Sequence, residues 1–439
     1  MSKQLTRRDF LGIGASVAAG SLLLGCSGTG DYYKPPLLDQ APDGPELKAG
    51  LVGCGGRGTG AALNFLDAGP SLRITALGDV FQDRLDSCKS HIEEQKQVTI
   101  AEENCFVGFD AFQKVIDSDV DVVLFATPPH FRPQHFDAAV EAGKHVFIEK
   151  PVAVDPVGAR SIMATARKAE NMGIQVSVGT QYRHQRDFVA TYEEVQKGAI
   201  GDILAISTFY NTGALWYREP TDEWSEMEYM IRDWVNWAWL SGDHIVEQFI
   251  HNLDTVNWFM GGHPKKAVGF GGRHRRKTGD QYDFFSIDYE FENGVHMNAM
   301  TRQMNGTARD VSHTVTGEKG VTNLRNTILS HDRDVRWQYD YPENVQQVPW
   351  GAGTGDVAVS PYVQEHIDMI TNIRRNETMV EAVEAAESTL TAIMGRISAY
   401  TGKEVTWDEM MSSTLELGPD KYAWGDVDID KSVPVPGTE

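Results

Sequence analysis

Ala49-Gly-Leu-Val-Gly53-Cys-Gly55-Gly-Arg-Gly58 is the stretch that decides the fold, because it joins a short apolar strand to a turn rich in glycine. Gly53, Gly55 and Gly58 have the GxGxxG spacing of a dinucleotide-binding turn, in which glycines permit a tight bend and let the backbone approach a pyrophosphate. An apolar segment at residues 61–66 follows and predicts a helix. The candidate cofactor-binding residues in this turn are Gly53, Gly55, Gly56, Arg57 and Gly58.

A second predicted strand, Leu72-Arg-Ile-Thr-Ala-Leu-Gly-Asp79, ends in a carboxylate about 20 residues after the glycine turn. In a dinucleotide-binding fold, a carboxylate at this place accepts hydrogen bonds from the ribose hydroxyls of the adenosine. The same negative charge repels a 2′-phosphate. Asp79 therefore predicts NAD as the cofactor, in preference to NADP.

Strands and helices continue to alternate after Asp79. Residues 120–128 are almost continuously apolar, residues 136–143 are helical in pattern, and residues 145–151 form another strand. Such alternation of doubly buried strands with helices predicts a parallel, doubly wound α/β sheet, the Rossmann fold. Ligands of these sheets bind beyond the carboxyl ends of the strands. The further candidates for cofactor binding are Thr127, Pro128, Glu149 and Lys150.

The segment Ala142-Gly-Lys-His-Val-Phe-Ile-Glu149-Lys150-Pro151 resembles the signature of the Gfo/Idh/MocA family of glucose-fructose oxidoreductases and inositol dehydrogenases. The resemblance in order and spacing extends from about Lys48 to Val405. It implies a second α/β domain, whose large, open, mixed and mainly antiparallel sheet carries the substrate pocket and often the contact between subunits. A small carbohydrate substrate and a homo-oligomer, either a dimer or a tetramer, are therefore expected.

The catalytic residues are implied by the same resemblance. Members of the family place a helix with an Asp-x-x-x-His pattern against the nicotinamide, and the matching residues here are Glu247 and His251. A histidine of near-neutral pKa can accept the proton of a carbinol while its hydride leaves. We expect His251 to be the acid and base, Lys150 to orient the hydroxyl and lower the pKa of the histidine, and Glu247 to support them or accept a sugar hydroxyl. The reverse assignment, with Lys150 as the base, stays open.

Helical spacing predicts one polar face on this segment. Its members are His244, Glu247, Gln248, His251 and Asp254. An alternative use of the face is metal binding by His244, Glu247 and His251, but their spacing is not that of HExxH or another strong metal motif. We therefore predict no metal.

Weaker candidates for substrate binding are Tyr182, Arg183, His184, Trp237 and His244. Trp237 belongs to a group of tryptophans between residues 216 and 239, which could stack on a sugar ring or pack in the core. The chain departs from the family pattern at Arg132, which stands where the Thr-Pro-x-x-x-His motif has its histidine. We assign no role to the nearby His130 and His135.

The composition excludes some functions. With 40 basic and 62 acidic residues among 439, the net charge of −22 argues against a nucleic-acid partner. Four cysteines in a chain of this length do not make a disulfide scaffold. Cys88 and Cys105 could nevertheless pair in an oxidising compartment.

The N-terminus predicts export. Arg7 and Arg8 precede a short apolar run, which is the layout of a twin-arginine signal, and Leu23-Leu-Gly-Cys26 resembles a lipobox that would be lipidated at Cys26. The predicted parts of the chain are a signal at 1–26, a flexible tether at 27–47, the NAD-binding Rossmann domain at 48–181, the substrate and oligomerisation domain at 182–408, and a C-terminal tail at 409–439. We expect a periplasmic or cell-surface protein that touches the membrane only through its lipid anchor.

Export also constrains the chemistry. An exported protein meets no replenished pool of NAD, so we expect the cofactor to be tightly bound and returned to its starting state in each turnover. The best prediction is an NAD-dependent oxidoreductase acting on a hydroxyl of a sugar, sugar derivative or glycoside. The alternatives are an NAD-dependent glycoside hydrolase that works by transient oxidation, elimination and re-reduction, and a lipid-anchored sugar-binding module without turnover. Binding alone requires neither Lys150 nor His251, which favours an enzyme.

Overall fold

The structure is a computed structural model that describes residues 34–342 and 359–438. The export signal and the lipidation predicted at Cys26 lie outside the described residues. Within those residues, no helix has both the length and the apolar character needed to cross a bilayer.

The first domain is built on a parallel sheet of six strands, in the order β3-β2-β1-β4-β5-β6. This order is that of a doubly wound dinucleotide-binding sheet. The strands are β1 Leu47–Val52, β2 Leu72–Asp79, β3 Cys105–Val107, β4 Val122–Phe125, β5 His145–Ile148 and β6 Val176–Val178. The helices between them are α1 Gly56–Asp67, α2 Gln82–Lys96, α3 Ala111–Ile116, α4 Arg132–Glu141 and α5 Pro156–Met172. Helix α4 begins earlier than expected because Pro133 fits the first turn of a helix.

The second domain contains a nine-stranded sheet, in the order β14-β13-β12-β11-β7-β10-β9-β8-β15. Its strands are β7 Ile203–Thr212, β8 Lys266–Gly272, β9 Phe284–Glu290, β10 His296–Gln303, β11 Asp310–Gly317, β12 Val321–Thr322, β13 Thr327–Leu329, β14 Val335–Gln338 and β15 Val405–Thr406. Strands β7 and β10 pair in parallel, whereas their other described neighbours are antiparallel. The predicted fold class, a Rossmann domain followed by a mixed and mainly antiparallel open sheet, is confirmed.

The remaining helices are α6 Arg186–Gln196, α7 Glu226–Arg232, α8 Ala238–Ser241, α9 His244–Glu247, α10 Ile250–Met260, α11 Pro361–Arg375, α12 Ala382–Thr401 and α13 Trp407–Ser412. Among them, α10 and α12 pack on strands of this sheet. Helix α12 packs both on α5 and on strand β8. Gly395 lets it approach the sheet, because a Cβ there would lie 2.1 Å from Oη of Tyr289.

Two segments depart from the predicted domain organisation. Helix α11 packs in the core of the first domain, where Ile367 and Ile370 join the residues of β1 and α1. Residues 34–46, predicted as part of a free tether, lie against the domain: Ala41 is buried, and the backbone N–H of Leu37 donates to Oδ1 of Asp368 at 3.0 Å. Because apolar residues of this stretch are buried against the domain, the prediction of a flexible tether is corrected for residues 34–46.

The described cysteines are free thiols. The Sγ of Cys105 faces the carbonyl of Ala101 at 3.5 Å, and Cys88 is buried in helix α2. The structure therefore does not contain the Cys88–Cys105 bridge that the sequence left open.

Gly395→Ala tests the close packing of α12 on the sheet. We expect its free energy of unfolding in urea to fall by about 1–3 kcal/mol, because the added methyl group overpacks the contact with Tyr289. Gly262→Ala is the matched control, since no atom lies within 4 Å of its added Cβ. A Gly395→Ala protein as stable as that control would contradict the packing described.

Candidate active site

The glycine turn after β1 fits a dinucleotide. At Gly53, where φ is +95°, a Cβ would lie 2.7 Å from the backbone of Ala126, and a Cβ at Gly58 would lie 1.8 Å from the Gly53 carbonyl oxygen. Added Cβ atoms at Gly55 and Gly56 would instead meet nothing within 4 Å. Helix α1 begins at this open space with no side chain capping it. Its free N–H groups can therefore bind the pyrophosphate of a cofactor.

Asp79 lies beside the turn, at the end of β2. Its Oδ2 accepts a hydrogen bond from the N–H of Cys54 at 2.6 Å, and its Oδ1 accepts one from Phe81 at 2.9 Å. Burial raises the pKa of this carboxyl above its ordinary value, against the effect of the two donors. A cavity of about 320 Å³ is lined by the predicted residues Gly53, Gly55, Gly56, Asp79, Thr127 and Pro128.

Arg57 and Glu149, also predicted to bind the cofactor, bind each other. The Nε of Arg57 donates to Oε1 of Glu149 at 2.5 Å, and its Nη2 donates to Oε1 of Glu365 at 3.0 Å. Gly179 makes room for this carboxylate, because a Cβ there would lie 2.7 Å from Oε1 of Glu149. The group braces the glycine turn against β5 and α11. Sequence reasoning missed Glu365, since its place beside Arg57 depends on the whole fold.

Lys150 follows β5 and meets the second domain. Its Nζ donates to Oε1 of Glu247 at 2.9 Å and to the carbonyl oxygen of the same residue at 2.6 Å. The side chains are 13% and 12% exposed, so water screens this ion pair little. The structure thus holds the ammonium group at the carboxyl edge of the nucleotide sheet.

His251 lies near this ion pair, although the predicted helix is interrupted. Helix α9 ends at Glu247 and α10 begins at Ile250, so the five polar residues do not share one continuous face. Burial lowers the pKa of His251 well below its ordinary value, and the positive charges of Lys150 and Arg57 lower it further. In the described part of the chain, no group hydrogen-bonds to this imidazole. A neutral ring is therefore free to accept a proton.

A line of amide groups connects Glu247 to the sheet. The Nε2 of Gln248 donates to Oε2 of Glu247, and the Nε2 of Gln303 donates to Oε1 of Gln248 at 2.9 Å. Arg276 ends the line, with Nη2 donating to Oε1 of Gln303 at 2.7 Å. Neither Gln303 nor Arg276 carries a sequence signal that points to the site, because their contact with it depends on strand register.

Arg132, which replaces the histidine of the family pattern, holds two strand ends together. It is buried, with Nε donating to the carbonyl of Thr127 at 2.9 Å and Nη1 to that of Pro151 at 2.5 Å. The residues that follow β4 and β5 are thus fixed next to one another. This guanidinium has a supporting role in placing Lys150.

The structure places His244 in a different environment from His251. Its buried ring lies 3.0 Å from Oδ1 of Asp243 and 3.3 Å from Nη2 of Arg276. Within the described residues, no group of three or more histidine, cysteine or acidic side chains could hold a metal ion. The three residues of the alternative metal site form no such group among the described residues, and Glu247 pairs instead with Lys150.

Arg183 and His184 are paired with buried carboxylates. Arg183 donates to both oxygens of Asp254 at 2.9 and 2.8 Å. His184 lies between Asp368, at 2.9 Å, and Glu381, at 3.0 Å. Burial lowers the pKa of His184, but the two carboxylates outweigh it and hold that pKa well above the ordinary value. The structure therefore corrects the prediction that these side chains, like His244, face a substrate.

The structure places the two aromatic candidates, Trp237 and Tyr182, in different surroundings. Trp237 is buried in an apolar cluster with its ring 6.0 Å from that of Tyr229, which corrects its prediction as a sugar-binding surface. Tyr182 stays beside the site: its ring stacks on Phe188 at 4.7 Å and lies 5.5 Å from the imidazole of His251.

A glycine turn that fits a pyrophosphate, at the carboxyl edge of a parallel sheet, defines a dinucleotide-binding domain. Residues 47–179 match the oxidoreductase family model described as an NAD-binding Rossmann fold, and residues 188–323 match the GFO/IDH/MocA C-terminal domain. The chain belongs to the Gfo/Idh/MocA oxidoreductase family.

Relatives within this family share a modest part of the sequence. An uncharacterized oxidoreductase of Streptococcus pneumoniae is 28% identical over 56% of this chain and 60% of its own. The scyllo-inositol 2-dehydrogenase (NADP(+)) of Bacillus subtilis is 26% identical over 40% of this chain and 44% of its own. The matched regions thus span less than two thirds of these curated proteins.

A solved structure of levoglucosan dehydrogenase, in complex with NADH and levoglucosan, has the same fold. Its TM-score is 0.64 at 19% identity, over 82% of this chain and 99% of that one. The likeness in fold and the family match together support a nicotinamide cofactor.

Gly55→Ala and Gly58→Ala separate cofactor binding from folding. We expect Gly55→Ala to fold normally without nucleotide but to bind NAD at least about tenfold more weakly, since its methyl group projects where the backbone must approach a pyrophosphate. Gly58→Ala should be destabilised even without nucleotide, because its Cβ meets the Gly53 carbonyl. Thermal unfolding and NAD titration check both, and unchanged NAD affinity in Gly55→Ala would contradict the site.

Gln303→Leu tests the line of amides. It removes the link between Gln248 and Arg276, so we expect kcat to fall about tenfold while NAD affinity stays within about twofold. Thr301→Val is the control, because Thr301 is a buried polar residue of the same strand that donates instead to the carbonyl of Tyr210. Steady-state kinetics in which both variants match the wild type would show that the line does not position Glu247.

Proposed function

We propose that this protein is an NAD-dependent oxidoreductase that acts on a hydroxyl of a sugar, sugar derivative or glycoside and keeps its cofactor tightly bound. The observation that carries the proposal is the placement of Lys150, fixed by Glu247, together with a neutral His251 at the carboxyl edge of the nucleotide sheet. A carbohydrate substrate agrees with the sugar and inositol dehydrogenases among the relatives.

The chemistry follows from these side chains. The glycine turn and Asp79 would hold a nicotinamide dinucleotide, which would supply the hydride acceptor for the carbon that carries the hydroxyl. Lys150 donates a hydrogen bond to the hydroxyl oxygen and stabilises the negative charge that develops on it. His251 accepts the hydroxyl proton, which its lowered pKa permits because the ring is neutral near pH 7. Glu247 keeps the ammonium group in place.

Asp79 supports NAD over NADP. Its carboxylate is fixed by two backbone N–H groups and lines the cavity beside the glycine turn. A negative charge held at this place accepts ribose hydroxyls and repels a 2′-phosphate. The proposal therefore expects tighter binding of NAD than of NADP.

The proposal includes export, lipidation at Cys26 and assembly into a dimer or tetramer. Export rests on Arg7, Arg8 and the apolar run after them. Assembly is supported by the open sheet, whose outer face exposes Val268, Met300 and Phe270, the last of these 67% exposed. An enzyme without a pool of free NAD around it would have to reduce and reoxidise its bound cofactor in a closed cycle.

A direct test uses protein purified without added nucleotide. The protein is denatured to identify the dinucleotide it releases, and native protein is monitored at the absorbance of reduced nicotinamide while inositols, aldoses, levoglucosan and glycosides are added. We expect released NAD, reduction by one sugar and reoxidation by another. Cleavage of a glycoside would instead favour the alternative of a glycoside hydrolase. A protein that takes up no NAD would favour the alternative of a sugar-binding module without turnover.

The pH profile separates the roles of His251 and Lys150. His251→Asn should lower kcat/KM by about 10²–10⁴-fold, the usual contribution of a general base. In Lys150→Met the loss of a neighbouring positive charge should raise the pKa of His251, so activity should fall at a higher pH on acidification than in the wild type. Lys150→Arg keeps the positive charge, so on acidification its activity should fall at the same pH as in the wild type. Retained activity in His251→Asn would assign the base to Lys150.

A further inference from the structure

The cavity next to the glycine turn has two walls from distant parts of the chain. Asp79 and the glycines form the wall that belongs to the Rossmann domain. The opposite wall comes from residues 213–241 of the second domain, here named the capping segment, which contributes Trp216, Arg218 and Trp234. The glycine turn and Asp79 account for the first wall. The second wall contains two members of the tryptophan group between residues 216 and 239, to which the sequence assigned no role in cofactor binding.

Buried polar groups fix the backbone of the capping segment. The N–H of Arg218 donates to Oδ1 of Asp233 at 2.7 Å, and the Nδ2 of Asn236 donates to the carbonyl of Trp216 at 3.2 Å. Both anchoring side chains are buried. Although Trp216 and Arg218 lie in an irregular stretch, their main chain is therefore held in place.

A separate apolar cluster joins the capping segment to the nucleotide domain. Phe81 and Phe131 from the loops after β2 and β4 pack with Met230 and Leu240 of the capping segment. The guanidinium of Arg232 lies 3.9 Å from the centre of the Phe81 ring and also pairs with Asp83. The cluster thus closes the capping segment over the strand ends.

The C-terminal residues support this closure from outside. The ring of Trp424 lies 5.7 Å from that of Phe81 and 4.8 Å from that of Phe109, which both line the cavity. The N–H of Val427 donates to Oε2 of Glu226 in the capping segment at 2.7 Å. The predicted tail is therefore docked on the wall.

The lining of the cavity fits the adenosine half of a dinucleotide. Arg84 and Arg218 line it together. The guanidinium of Arg218 lies 5.7 Å from the centre of the Trp216 ring, so the two side chains form one surface. Trp216 and Trp234 add an aromatic surface, with ring centres 6.4 Å apart. Aromatic rings bind a base by stacking, and guanidinium groups stack on bases or bind phosphate.

We propose that the capping segment forms the outer wall of the adenosine site, where Trp216 and Arg218 contact the dinucleotide and retain it. The inference rests on the proposed nicotinamide-dependent function and supplies its means of retention. Release of the cofactor then requires the capping segment to move away from the Rossmann domain, so exchange with free nucleotide is slow.

The test measures how fast bound NADH leaves. Full-length protein loaded with NADH is mixed with excess NAD, and the loss of energy transfer from tryptophan to NADH gives the release rate. Trp216→Ala and Arg218→Ala should release NADH at least about tenfold faster than wild type, because a base stack or a phosphate contact is lost. Tyr217→Ala is the matched control, since its exposed ring contacts Lys277 and does not line the cavity.

Three outcomes are distinguishable. Faster release in Trp216→Ala and Arg218→Ala, with Tyr217→Ala like wild type and all melting temperatures unchanged, supports the capping role. Wild-type release rates in both variants overturn it while leaving the oxidoreductase proposal intact if sugars still reduce the bound NAD. A wild-type protein that binds no NADH overturns both.

Discussion

The ion pair between Lys150 and Glu247 joins the two domains at the point where the chemistry is expected. One partner follows a strand of the nucleotide sheet, and the other ends a short helix of the second domain. Because both side chains are largely buried, removing either partner would leave a charge in a poorly solvated place, which typically costs about 3–5 kcal/mol. The site therefore exists only when the domains are packed together.

Several other side chains hold this ion pair in position. Arg132 holds the strand ends on one side of Lys150, and the amides of Gln248 and Gln303 hold the carboxylate on the other. The group of Arg57, Glu149 and Glu365 braces the glycine turn in the same way. Polar side chains thus fix both the nucleotide turn and the lysine before any ligand binds.

The sequence was sufficient for the parts of the molecule that depend on local pattern. The glycine spacing, Asp79 and the alternation of strands predicted the first sheet, and the Glu-Lys-Pro segment led to the second through family resemblance. Polar residues were harder: Arg183, His184 and His244 have the chemistry of a binding site but are buried with carboxylates. The pairing of Arg183 with Asp254 and that of His184 with Asp368 become visible only in three dimensions, as does the break between Glu247 and Ile250.

The rate at which sugar reduces the bound dinucleotide in a single turnover of Glu247→Gln protein tests the account most directly. The sugar is one that the wild type oxidises, and the dinucleotide content of the same sample is measured after denaturation. The account predicts an unchanged dinucleotide content and a reduction at least about 10²-fold slower, because Lys150 loses the group that positions it. Reduction at the wild-type rate would contradict it.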